Sequence, residues 1–137
     1  MITRRTLLES AAVGALLPLV RYGLVEGAAP SSKMVFQHDL PDVDLKGWAV
    51  TVVEVSYGPG DSSRAHRHPG ITLAYVLEGE VKSKVGEGPE KTYAAGEMFI
   101  ETPNELHGVS ANASTTKPAK LLALLLAEKG KALTTPA

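Results

Sequence analysis

Cysteine is absent from this chain of 137 residues, and its absence removes thiolate nucleophiles, disulfides and sulfur-ligated metal sites together. A metal, if one is held, must rely on imidazole and carboxylate. An excess of one charge is also missing. The chain has 14 Lys and Arg against 15 Asp and Glu, a formal net charge of −1. That is too even for the broad positive field that nucleic acid or an anionic membrane surface attracts, so neither partner is expected. No segment reaches the roughly twenty apolar residues a membrane-spanning helix needs, and stable membrane insertion is not expected either. Internal repeats and helix-length periodic segments are lacking beyond Pro30. The length suits a single domain.

The amino-terminal stretch reads as an address rather than as part of a fold. Thr3-Arg4-Arg5-Thr6-Leu7-Leu8 resembles the twin-arginine export motif. A modestly apolar stretch from Ala11 to Val20 follows, broken by Gly14 and Pro18, and Gly27-Ala28-Ala29 offers small residues to a signal peptidase. The other reading is a frayed amphipathic helix. Basic pair, apolar run and small-residue site stand in the order that export requires, so a bacterial periplasmic location is expected.

The remainder reads as short strands separated by turn residues. Trp48–Tyr57 alternates apolar and polar positions and is rich in valine, as a half-buried strand is, and Gly58-Pro59-Gly60 stops it. Ile71–Leu77 turns at Glu78-Gly79-Glu80 into Val81–Val85 in the manner of a hairpin. Thr92-Tyr93 is a short strand, and Met98–Glu101 and Leu106–Ser110 flank a turn at Pro103. Leu121–Leu126 is a continuous apolar run read as a final core strand. Met34–Leu40, closed by Pro41, reads as an edge strand whose unpaired backbone groups would seek a partner, and a homodimer through it is expected. The expected fold class is all-β, a small barrel or jelly roll. It divides into an export signal over 1–29, a β-barrel over 30–127 and a flexible tail over 128–137.

Of the four histidines, His66 and His68 stand together in Gly60-Asp61-Ser62-Ser63-Arg64-Ala65-His66-Arg67-His68. Side chains alternate faces along a strand, so imidazoles two apart point the same way and can grip one ion. Gly60, His66, His68 and Gly79 resemble the first motif of the cupin family, and Gly96, Pro103, His107 and Asn112 the second. One extra residue separates Gly96 from Pro103, and Asn104 replaces a usual glycine. The resemblance implies a single-domain double-stranded β-barrel with His66, His68 and His107 as metal ligands. It also brings out a departure, because the metal-binding glutamate of the first motif falls at Thr72, whose neutral hydroxyl is a poor ligand. Thr72 is read instead as a small polar wall of the cavity. Glu101 has two readings: a solvated charge at a strand end, or a replacement ligand or acid/base near the metal. Arg64 shares the parity of His66 and His68 and is either a solvated surface residue or a contact for an anionic substrate at the barrel mouth. His38 lies far from both motifs and reads as a surface residue.

Three neutral imidazoles leave the ion its full charge and leave positions open for water or a chelating substrate. The resemblance makes an oxygenase-like enzyme acting on a small polar molecule the leading expectation. Iron(II) is the favoured ion, with manganese, nickel, copper and zinc also compatible with imidazole. The rival reading is a non-catalytic module that holds a metal or small ligand outside the cytoplasm.

Overall fold

The computed structural model describes residues 31–137, and the export segment read over 1–29 lies outside the described residues. Nine strands and, among the described residues, no helix make up the body Lys33–Ala137. They are β1 (Trp48–Tyr57), β2 (His66–Arg67), β3 (Ile71–Glu78), β4 (Glu80–Val85), β5 (Lys91–Ala94), β6 (Met98–Glu101), β7 (Leu106–Asn112), β8 (Ala119–Glu128) and β9 (Thr135–Pro136). Two antiparallel sheets result, ordered β1-β8-β3-β6 and β5-β4-β7-β2-β9. This is the all-β jelly roll expected from the sequence.

Cross-strand partners share a face of a sheet, so the register sorts side chains into rows. Valine-rich β1 runs against leucine-rich β8 without interruption, from Trp48 opposite Glu128 to Tyr57 opposite Ala119. On the inner face, Val55, Leu121 and Val76 form one row, which joins Tyr57, Val81, Phe99 and Ala119 in the core. Val76 and Val81 are fully buried, each contributing about 1.5–3 kcal/mol relative to exposure. The next inner row is Val53, Ala123, Ala74 and Phe99, with methyl groups at its centre where the preceding row has branched side chains. That row leaves the barrel hollow. The third is Thr51, Leu125, Thr72 and Glu101.

Two local devices set the geometry. Between β4 and β7 the register slips, with Lys84 opposite Val109 and Val85 opposite His107. The resulting bulge turns both His107 and Ser110 inward. At Gly70 an added Cβ would stand 2.0 Å from the Leu126 carbonyl oxygen, so the approach of β3 to β8 admits only glycine there.

The structure differs from the sequence expectation in two places. Met34–Leu40 forms no strand; Met34, Val35 and Leu40 are exposed and the segment has no ladder partner. Its apolar side chains supply strand composition, but a strand also needs a neighbour to bond to. The segment read as a loose tail instead folds back over the barrel, where β9 pairs with β2, Pro136 opposite His66 and Thr135 opposite Arg67. Short β2 offers a free edge there, and backbone pairing captures a segment that composition alone marks as a tail.

Candidate functional site

Two cross-strand pairs, one from each sheet, make the site. On the second sheet His66 of β2 lies opposite His107 of β7. On the first, Thr72 of β3 lies opposite Glu101 of β6. His68 follows directly after β2 and completes the group, and its ring is 4.9 Å from that of His66. One ligand atom from each of His66, His68, Glu101 and His107 lies within 4.8 Å of every other. Glu101, His68 and His107 are buried and His66 is half-buried.

A hydrogen bond fixes the orientation of each imidazole. His66 Nδ1 donates to the Arg64 carbonyl at 2.7 Å, and His68 Nδ1 to the Leu133 carbonyl at 2.7 Å. Both tautomers therefore leave Nε2 free toward the cluster. His107 is turned the other way: its Nε2 is bonded to Ser83 Oγ at 2.9 Å, which leaves Nδ1 facing Glu101. Such outer contacts set ligand orientation and basicity in metal sites.

The approach of His107 Nδ1 to Glu101 Oε2 is 2.8 Å, yet Nδ1 makes no hydrogen bond of acceptable geometry and is a buried polar atom without a partner. Two donors about 2.0–2.2 Å from one ion stand about 2.8–3.1 Å apart at a right angle and about 3.3–3.6 Å apart at the tetrahedral angle, and the separation seen is at the short end of that range. His68 Nε2 stands 3.6 Å from the same carboxylate oxygen. An orphaned nitrogen beside an inward-facing carboxylate, with two further free imidazole nitrogens close by, fits a divalent cation. Without one, His107 Nδ1 stays buried with no hydrogen-bond partner.

Each candidate from the sequence has a definite place. His66, His68 and His107 converge. Glu101 joins them, buried at 4% exposure, so it is not a solvated strand-end charge. Thr72 is buried at 1% and faces inward, but it does not line the cavity, and its Oγ1 has no hydrogen-bond partner. Its cross-strand neighbour Glu101 supplies the carboxylate instead. Arg64 is exposed and lines the cavity mouth, whereas Arg67 turns away to donate to the Asn104 carbonyl at 2.7 Å. His38 is exposed and bonded to its neighbour Asp39.

The cluster forms one wall of a cavity of about 630 Å3. Val53, Val55, Phe99, Leu121, Ala123 and Leu125 supply much of its apolar lining. Sequence reasoning missed Ser83 and the segment Leu133–Pro136, which closes the cavity beside His68. Ser83 left a signal: Val81, Ser83 and Val85 share one parity, and a hydroxyl among inward apolar positions needs a buried partner. The Leu133 contact left none, because it is made by a backbone carbonyl.

The cupin domain family matches residues 53–125. No curated protein matches the chain in sequence. Among solved structures, it resembles a conserved protein with a double-stranded beta-helix domain from Klebsiella pneumoniae, at 25% identity and a TM-score of 0.55 over 64% of this chain and 74% of that one. Recombinant oxalate oxidase in complex with glycolate is similar at 17% identity and a TM-score of 0.54, over 77% of this chain and 65% of the other. The DMSP lyase DddQ from Ruegeria pomeroyi gives 16% identity and a TM-score of 0.56 over 64% of this chain, which spans only 43% of the lyase. The last two likenesses are of fold alone.

The Leu133 carbonyl is the acceptor that fixes the tautomer of His68, and the contact has a measurable worth. Deleting residues 133–137 is expected to weaken divalent-metal affinity about 10–100-fold, the usual effect of removing an outer contact to a ligand. The long ladders of β1, β8 and β3 do not involve this segment, and the thermal transition they support should be kept. Zinc titration against a competing chelator, with a melting curve of the same sample, checks both. Unchanged affinity would show that the segment covers the site without orienting it.

Proposed function

The chain belongs to the cupin family, and from that premise we propose that it binds one divalent metal ion through His66, His68, Glu101 and His107 and acts on a small molecule in the adjoining cavity. The observation that carries the reading is the convergence of four ligand atoms within 4.8 Å, one of them an orphaned buried nitrogen. When bound, the ion supplies a positive charge that polarises a chelating oxygen ligand. Glu101 neutralises part of that charge and, as a ligand, is no longer available as acid or base. The Arg64 carbonyl, the Leu133 carbonyl and Ser83 hold the imidazoles in place, and the aliphatic walls limit water. Imidazole with one carboxylate suits iron(II), manganese, nickel, copper or zinc. Among these we retain iron(II) and an oxygenase-like reaction, as the sequence resemblance favours.

Metal analysis of the purified protein is expected to give one ion per chain. Glu101→Ala should weaken binding by more than the roughly 10–100-fold typical of an outer contact. The exchange Thr72→Glu with Glu101→Thr should bind more tightly than Glu101→Thr alone, because the carboxylate returns to the same row from the neighbouring strand. Equal metal content in wild type, Glu101→Ala and His68→Ala would sink the four-ligand reading. A metal-loaded protein inactive in an oxygen-consumption screen would favour the non-catalytic binding role.

Export to the periplasm is proposed from Arg4 and Arg5. Replacing both with lysine preserves charge and should leave unprocessed precursor in the cytoplasm, visible on immunoblots of fractionated cells. Full processing of that variant would reject the twin-arginine route.

A homodimer is proposed as well, with its contact moved from Met34–Leu40 to the outer face of the first sheet. There Val52, Leu124, Leu73 and Ile100 form an apolar row across all four strands, with Val52 55% exposed. Such a contiguous apolar face favours association. Sedimentation should give twice the mass of one chain at micromolar concentration, falling to a single-chain mass in Val52→Glu. A single-chain mass for wild type would reject the proposal.

A further inference from the structure

The histidine–glutamate cluster occupies one wall of the cavity, and the character of the other walls constrains what can sit against them. The inner row Val53–Ala123–Ala74–Phe99 places two methyl side chains where the adjacent row carries Leu121 and Val76. Space is thus made by small apolar residues rather than by polar ones. Val53 has the inward parity of Val55 and Tyr57, yet it is 39% exposed although it lines the cavity. A branched aliphatic group held open in this way gains from being covered. Polar groups away from the cluster make little demand on a ligand. Tyr57 Oη is bonded to Ser63 Oγ at 2.7 Å and to Ser110 Oγ at 2.9 Å, so that trio is satisfied internally. Among the described residues, Glu101 is the sole carboxylate in the lining, and Arg64 stands at the mouth.

A volume of about 630 Å3 is in the range of sites that enclose whole organic ligands. A two-carbon acid would leave most of it as water against valine, leucine and phenylalanine. Resting on the metal reading above, we infer that the ligand is amphipathic: an anionic oxygen head that chelates the ion, joined to an aromatic or branched aliphatic body that covers Val53, Ala123, Leu125 and Phe99. The small polar substrate expected from the sequence fits the head of such a molecule and not its body. Arg64 adds a positive charge near the entrance, which draws an anion inward.

Hydroxamates test this directly, because the chelating head can be kept constant while the body changes. Cobalt(II)-loaded protein is titrated with acetohydroxamate, hexanohydroxamate and benzohydroxamate, binding being read from the visible spectrum of the ion. Cobalt content is measured before any ligand is added. Each buried methylene is worth about fourfold in affinity, so hexanohydroxamate, with four more methylenes, is expected to bind roughly 30–250-fold more tightly than acetohydroxamate as between about two and a half and four of them are buried, with benzohydroxamate also ahead. Ala123→Leu, which fills the hollow row, should remove most of this preference. Val53→Asn, which makes the open wall polar without adding bulk, should narrow it too and serves if the leucine variant does not fold. Cobalt bound at one per chain with equal affinity for all three hydroxamates would overturn the amphipathic ligand and leave the metal reading intact. Failure to bind cobalt at all would overturn the metal reading and the chelating head with it.

Discussion

The pairing of His66 with His107 on one sheet, and of Thr72 with Glu101 on the other, is the constraint on which the rest of the molecule depends. Side chains on a strand alternate with period two, so a slip of one residue in either pair would send a member of the cluster to the opposite face. The registers are held by contacts that have nothing to do with metal: the unbroken ladder of β1 on β8, the close approach allowed by Gly70, and the bulge between β4 and β7. Stability and site geometry are thus supplied by different residues. Loss of one member of the cluster leaves the valine and leucine rows that position the other three.

Filled and hollow halves share one barrel. Val76 and Val81 pack one part to full burial, while Ala74 and Ala123 keep the neighbouring part open in the next row. The cost of the open part is modest because its largest groups line a cavity instead of being forced into strained packing. The polar cluster is the more expensive element. Four ligand groups brought together out of water require either a cation or hydrogen bonds, and for His107 Nδ1 no hydrogen bond is in place.

Most of the strands could be read in the sequence. Trp48–Tyr57, Ile71–Leu77 and Leu121–Leu126 carry enough alternation or apolar length to be recognised, and they became β1, β3 and β8 with boundaries shifted by at most two residues. Met34–Leu40 has the composition of a strand without a partner to pair with, and no local pattern reveals a missing partner. The folding of Thr135–Pro136 onto β2 was hidden for the converse reason, since backbone pairing can capture almost any side chain. The three histidines were visible as a set because their spacing carries the family resemblance. Glu101 could be noticed but not assigned: its closeness to Thr72 exists only across the β3–β6 ladder, and the chain between them does not record it.

The displaced carboxylate bears on how related chains are compared. Aligned by sequence, position 72 shows a threonine and the chain would be counted as having surrendered a ligand. Counted by location on the barrel wall, the carboxylate is still present, contributed by the adjacent strand. Two positions facing one another on a sheet can trade such a group with little change in where its oxygens end up, since they share a face and lie close together. Inventories taken down alignment columns will therefore score chains of this kind as deficient, whereas inventories taken across the ladder will not.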